Sequence, residues 1–250
     1  MSKDVRIAGF DIGAKNFSYG VEYCSSSVIR ALKKHYHSLP KKYQRRVKGT
    51  MNTYISKMLD TLFLDGQRVV IHDDEGNVIE PGMGVVNLRK NKDVDILDLE
   101  TRINLFEFLK SKESLWDSCD IIVIEQQYFN TLGFKNRRSA GTGANVKAIK
   151  LGECCLVWFL ERYWPFKTII VFGAAYKTQT LGAPDKLTKP QRKRWAVAKG
   201  KEIMHRRGDD AAIEYASTRK LANGRKQKED DMYDNVIMIQ AFKLVKLVID

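Results

Sequence analysis

Four carboxylates stand where a fold could gather them for metal chemistry: Asp11, Glu125, Asp231 and Asp234. Asp11 lies late in the apolar run Val5 to Ile12, between Gly9 and Gly13. Glu125 follows directly on Ile121-Ile122-Val123-Ile124, and a buried strand does not end in a carboxylate without a reason. Asp231 and Asp234 are three apart and share one helix face; Asp230 and Asp234 also share one, at spacing four. Gathered without counter-charge, such acids repel one another. A divalent metal relieves that repulsion: Mg²⁺ takes hard oxygen ligands and keeps some of its waters. Two such ions about 4 Å apart can activate a water and stabilise the leaving oxygen of a phosphodiester. Any one of these acids alone reads as a surface residue or a helix cap. The joint arrangement is what points to chemistry.

To meet, the acids need particular elements. Residues 5–12 read as a strand broken by Gly13, and 17–24 as a second strand in hairpin reach of it. Residues 28–64 read as helical and basic, with a break at Leu39-Pro40. Residues 68–80 read as a hairpin around Asp73-Asp74-Glu75-Gly76-Asn77, a turn without the bidentate Glu of a calcium loop. Gly84 to Leu88 read as a further strand. Leu99, Ile103, Phe106 and Leu109 recur at helical spacing over 99–110. Four β-branched residues at 121–124 predict a fully buried central strand. A basic loop over 130–145 precedes a helix at 146–163, a second buried strand at 166–172, basic helices over 186–223 broken near Gly208, and an amphipathic helix at 230–249. Gly141-Thr142-Gly143 is not a phosphate-binding loop, because no Gly-Lys-Ser/Thr follows. The order predicts a mixed α/β sheet with helices packed on it.

The 250 residues suit one domain with a large insertion. Forty-three Lys and Arg against 30 Asp and Glu leave a net charge of +13, which favours a polyanionic partner. No run of about 18 uncharged apolar residues exists, so no membrane partner is expected. The first residues lack the apolar core of a signal peptide, and the strand at Val5 leaves no room for a transit peptide. The expected location is cytoplasmic, either a viral replication site or a prokaryotic cytoplasm. Cys24, Cys119, Cys154 and Cys155 form no C-x-x-C pair and read as free thiols. Three basic stretches are suited to phosphate contacts. One surrounds Lys33, Lys34, Lys41 and Lys42; one holds Lys135, Arg137, Arg138, Lys147 and Lys150; one runs from Lys186 to Arg207 and includes Arg192, Lys193 and Arg194.

Phe10-Asp11-Ile12-Gly13-Ala14-Lys15-Asn16 resembles the first catalytic motif of poxvirus-type and mitochondrial-type Holliday junction resolvases, within the RNase H-like superfamily. Ile124-Glu125-Gln126-Gln127 resembles the second motif of RuvC, and Ala148-Ile149-Lys150-Leu151-Gly152-Glu153 the helix after it. Lys228-Glu229-Asp230-Asp231-Met232-Tyr233-Asp234 resembles the final Asp-Asp-x-x-Asp motif. The likeness covers the start, about 117 to 180 and the C-terminus. It omits residues 28–95, read as a basic insertion into one domain over 1–250, and is weak over 182–222.

The resemblance implies an RNase H-like, RuvC-type α/β fold with a mixed five-stranded sheet and helices on both faces. It implies a homodimeric, metal-dependent endonuclease that resolves four-way DNA junctions by paired symmetric nicks, in recombination, repair or the processing of replicated viral genomes. Asp11, Glu125 and Asp234 match the three core ligands, and Asp231, or its neighbour Asp230, the fourth. Each site would hold two Mg²⁺, with Mn²⁺ able to substitute. Lys177 matches a basic residue near the phosphate, for contact or for transition-state charge; Lys15 is a similar candidate. Tyr128 and Phe129 match an aromatic that stacks on unpaired bases, although one ring could equally pack in the core. The helix at 146–163 reads as core, in part as a dimer seam. Two rival readings stand beside this one: another RNase H-like nuclease, of transposon type or acting on RNA/DNA hybrids, and a non-catalytic junction-binding scaffold.

Overall fold

The computed structural model describes residues 4–44, 53–69, 71–72, 78–80, 82–89, 97–127, 143–218 and 230–250. Strand β1 (Asp4–Asp11) and strand β2 (Phe17–Ser25) form the expected hairpin, with Gly9 opposite Gly20 and Asp11 opposite Ser18. Side chains alternate along a strand. Phe17, Tyr19 and Val21 therefore enter one core, while Ser18, Gly20 and Glu22 face the other side of the sheet.

The basic stretch folds as α1 (Ser26–Ser38), α2 (Lys41–Gln44) and α3 (Thr53–Asp65). Ser25 caps α1 by accepting the Ser27 N–H, and extended backbone at Leu39 before Pro40 ends it. Strands β3 (Gln67–Arg68), β4 (Ile71–His72), β5 (Val78–Glu80) and β6 (Met83–Val86) follow. β4 and β5 pair with each other; their acidic turn lies outside the described residues. β3 pairs with β2 at Glu22 and Tyr23, and β6 pairs with β2 at Phe17 to Gly20.

The remainder is α4 (Leu99–Ser111), α5 (Glu113–Asp117), β7 (Ile121–Gln126), α6 (Gly143–Tyr163), β8 (Thr168–Gly173), α7 (Ala174–Thr180), α8 (Lys189–Arg207), α9 (Asp210–Thr218) and α10 (Asp230–Phe242). α10 continues as a π-helical end over Lys243–Ile249. The sheet order is β3-β2-β1-β7-β8, antiparallel as far as β1 and parallel beyond it. This is a mixed α/β sheet in the strand order that the resemblance implies, with helices on both faces. One core packs under α4, α5 and α6; the other packs under α1, α3, α8 and α10. The sheet has six strands rather than five, because β3 and β6 share the place beside β2.

Three local readings need correction. α4 forms, with Asp98 as its N-cap, but only part of the stripe chosen from the sequence turns inward: Leu109 is buried, while Leu99 is 70% exposed and Ile103 and Phe106 are also exposed. Thr101 and Leu105 are buried beside Leu109; the helix is apolar on two sides, so spacing alone could not choose. β8 is the outer strand and not a fully buried one. Only Phe172 and Gly173 are buried in it, because among the described residues no strand pairs with its far edge. α10 is not amphipathic: from Met232 to Phe242 every residue except Asp234 is buried, since the helix is wedged between the sheet and α8.

Candidate active site

Asp11 ends β1, and Glu125 is the fifth of six residues in β7. The strands are parallel neighbours with Phe10 beside Ile124. Asp11 and Glu125 therefore come side by side, on the face opposite Phe10 and Ile124, which enter the α6 core. α10 lies across that face. The Ser18 hydroxyl donates to the Asp231 carbonyl at 2.9 Å, and Asn235 Nδ2 donates to the Gly9 carbonyl at 2.8 Å. A Cβ at Gly9 would stand 2.8 Å from Ile239, and one at Gly20 would stand 2.7 Å from Asn235 Oδ1. The paired glycines thus allow the helix to lie close enough to deliver its acids. Burial of Met232, Val236, Ile239 and Phe242, at about 2 kcal/mol each, offsets the repulsion between those acids.

Lys177, in the short helix α7 after β8, projects into the cluster. Its ammonium is 2.7 Å from Glu125 Oε1, 3.6 Å from Asp234 Oδ2 and 3.8 Å from Asp11 Oδ2. Glu125 Oε2 also accepts from Gln127 Nε2 at 3.2 Å. Asp230 pairs with Lys193 of α8. Asp231 Oδ2 is buried and has no hydrogen-bond partner.

Burial, and then the charge of Glu125, push the Asp11 carboxyl well above its usual range. Burial is the largest influence on Glu125 and would raise it, but the Lys177 ammonium and hydrogen bonding with Asp11 and Lys177 together hold its carboxyl below the usual range. Burial raises Asp234 against the pull of Lys177. Burial, with Asp230 and Asp11 nearby, pushes Asp231 up to about 7. Burial alone would lower Lys177; the surrounding Asp11, Glu125 and Asp234 reverse this and raise it. The cluster is therefore short of positive charge even with Lys177 in it.

Among the described residues, no three His, Cys, Asp or Glu side chains stand ready-arranged around one point to hold a metal ion. The point shared by Asp11, Glu125 and Asp234 is taken by the Lys177 ammonium. The donors themselves fit a hard dication: all are carboxylates, their negative charge exceeds the local positive charge, and Asp231 offers a buried oxygen with no partner.

The structure thus brings together Asp11, Glu125, Asp231, Asp234 and Lys177. Lys193, expected to contact DNA, pairs with Asp230 and keeps its side chain 44% exposed, while Arg192, Arg194, Lys15 and Lys150 are exposed and Lys147 is half-buried. Tyr128, Phe129, Lys135, Arg137 and Arg138 lie outside the described residues. The sequence reading missed the supports: Ser18, Asn235 and Gln127. It also missed a buried ion cluster further along β2. Glu22 Oε1 is 2.9 Å from Lys243 and Glu22 Oε2 is 2.9 Å from Arg207. Gln240 Nε2 donates to Glu22, and Arg207 Nε and Lys243 Nζ donate to the Phe63 and Leu62 carbonyls of α3. One signal was available: Glu22 is a lone acid in an apolar alternating strand, followed by no other acid until Asp60.

No family model matches the chain. It is similar to the uncharacterized protein 97L of Invertebrate iridescent virus 3, with 27% identity over 237 residues, covering 95% of this chain and 98% of that protein. It is also similar to the uncharacterized protein 170L of Invertebrate iridescent virus 6, with 27% identity over 267 residues, covering 99% of this chain and 92% of that one. Among solved structures, the yeast mitochondrial Holliday junction resolvase Ydc2 aligns with a TM-score of 0.48 and 15% identity, over 96% of this chain and 78% of that chain.

Proposed function

We propose that the chain is a divalent-metal-dependent endonuclease that resolves four-way DNA junctions. The observation that carries this reading is the approach of Asp11, Glu125 and Asp234 to one ammonium, that of Lys177, from the ends of two parallel strands and the start of a buried helix. In this reading Asp11, Glu125, Asp234 and Asp231 hold the metal. Asp231 is preferred to Asp230 as the fourth ligand, because Asp230 is already paired with Lys193. Mg²⁺ is the expected ion, two per site, with Mn²⁺ as substitute. Bound there, the ions would supply an activated water and charge for the leaving oxygen of a phosphodiester. The protein's own groups hold the reaction frame. Gln127 steadies Glu125, and Ser18 and Asn235 fix α10 against the sheet. Lys177 places a cation where a phosphate would enter.

DNA affinity, in this reading, comes from the net charge of +13. Exposed Lys15, Lys150, Arg192 and Arg194 supply part of it. The chain works as one nuclease domain in a homodimer, because two symmetric nicks need two sites. The dimer surface is assigned to exposed Val157 and Leu160 on α6, with Trp164 and Phe166 just after it, the latter 90% exposed. Among the described residues no helix is long and apolar enough to cross a membrane. The relatives are proteins of iridescent viruses, which supports a viral setting for this reading.

The test is cleavage of a synthetic four-way junction in Mg²⁺, against flap, duplex and RNA/DNA hybrid controls. Paired nicks on the junction, lost in Asp11→Asn and Glu125→Gln, support the reading. Equal cleavage by wild type and both variants refutes the site. Cleavage confined to hybrids refutes the substrate.

A further inference from the structure

The position of Lys177 says more about the site than that a cation is near. Only its contact with Glu125, at 2.7 Å, is of hydrogen-bond length. The approaches to Asp234 and Asp11, at 3.6 and 3.8 Å, are ion pairs without a hydrogen bond. The ammonium is therefore held at one corner and serves the other two acids as a point charge. A dication bound by these oxygens at about 2 Å would need them drawn in much closer. A dication and an ammonium cannot both stand inside one ring of three carboxylates without strong mutual repulsion. Lys177 has four flexible methylenes and belongs to a seven-residue helix at the exposed edge of the sheet, so its head can move without moving the fold.

We propose that Lys177 is a displaceable counter-cation: its ammonium holds Asp11, Glu125 and Asp234 together before metal binds, and the arriving dication drives it out toward the mouth of the site. This rests on the reading that the acids are metal ligands, and it adds a competition that the reading does not require. Metal affinity is then set partly by the cost of evicting an internal cation. The evicted ammonium stays tethered where a phosphodiester oxygen enters. Lys177 is thereby a positioning residue for the acids first, and a phosphate contact second.

The test uses the whole protein without DNA, with MgCl₂ or MnCl₂ as titrant followed by calorimetry, and thermal melting in EDTA. Lys177→Met should lower the melting temperature in EDTA, because three acids lose their shared cation. It should also tighten Mg²⁺ binding by about tenfold to a hundredfold, the usual range for two coupled ligands. Lys177→Arg, which keeps the charge, should stay near wild type in EDTA. A merely structural lysine would lower stability and leave metal affinity unchanged or weaker. If wild type and Lys177→Met bind Mg²⁺ equally, the metal reading stands and the competition is refuted. If neither binds Mg²⁺ or Mn²⁺, the metal reading itself is refuted and the proposal falls with it. If Lys177→Met does not fold in EDTA, recovery of its fold on adding Mg²⁺ supports the proposal. Failure to recover, together with Lys177→Gln binding Mg²⁺ no more tightly than wild type, overturns it.

Discussion

Asp231→Asn separates an acid kept for function from one kept for stability. In the folded protein Asp231 is pushed up to about 7 from an ordinary 3.8, by burial first and by Asp230 and Asp11 next. A carboxyl whose pKa is raised on folding costs nothing below pH 4, where both states are protonated. The cost grows as pH rises from about 4 to 7, where the unfolded chain is ionised and the folded chain resists, and it is complete above 7. The rise to about 7 corresponds to about 4 kcal/mol at roughly 1.4 kcal/mol per tenfold. Asp231 is partly open to solvent, and screening reduces the figure to about 2 kcal/mol. For a chain of 250 residues that is roughly 4–8 °C in melting temperature. Asp231→Asn, melted in EDTA, should therefore exceed wild type by about that much at pH 8 and match it at pH 4. Junction cleavage should fall at least tenfold. Added Mg²⁺ should narrow the stability gap, because bound metal relieves in wild type what the substitution relieves in the variant. A variant no more stable than wild type at pH 8 in EDTA would refute the view that this carboxylate is held against its own electrostatics.

Glu22→Gln should destabilise the protein by about 3–5 kcal/mol, because Arg207 and Lys243 would lose their buried counter-charge; denaturant melts read it directly. Burial would raise Glu22, but Arg207, Lys243 and Arg68 hold its carboxyl far below the usual range, so this contribution is full above about pH 5 and fades as pH falls. Leu105→Ala should cost about 2–5 kcal/mol and Ile103→Ala under about 0.5 kcal/mol, a contrast that tests which face of α4 is buried. Trp164→Glu with Phe166→Glu should leave the melting temperature within about 2 °C of wild type and yield monomers by light scattering, with paired nicking lost.

Much of the site was legible because its acids sit at punctuation points of the chain. Asp11 and Glu125 each follow an apolar run, and the runs pair in parallel register, so two residues 114 apart in sequence become neighbours by strand geometry alone. Asp231 and Asp234 were legible as one helix face. What could not be read was which face of α4 turned inward: of the stripe Leu99-Ile103-Phe106-Leu109 only Leu109 is buried, Thr101 and Leu105 join it, and only the partner surface chooses. The edge position of β8 was hidden for a similar reason: Thr168-Ile169-Ile170-Val171 is as apolar as a central strand, yet burial depends on what lies beyond it. The destination of Lys193 was hidden too. A basic run announces a charged surface, and nothing in the sequence marks Lys193 as the lysine in it that pairs with Asp230.

The Glu22 cluster joins four distant parts of the chain around one carboxylate: β2 near the start, the carbonyls of α3, Arg207 at the end of α8, and Lys243 just past α10. Until α10 and the segment after it are synthesised, Glu22 has neither Lys243 nor Gln240, and the Leu62 carbonyl of α3 lacks its Lys243 donor. The same helix carries Asp231 and Asp234. Completion of the core and completion of the reactive cluster are therefore one event in synthesis, and a nascent chain on the ribosome reaches neither before the other.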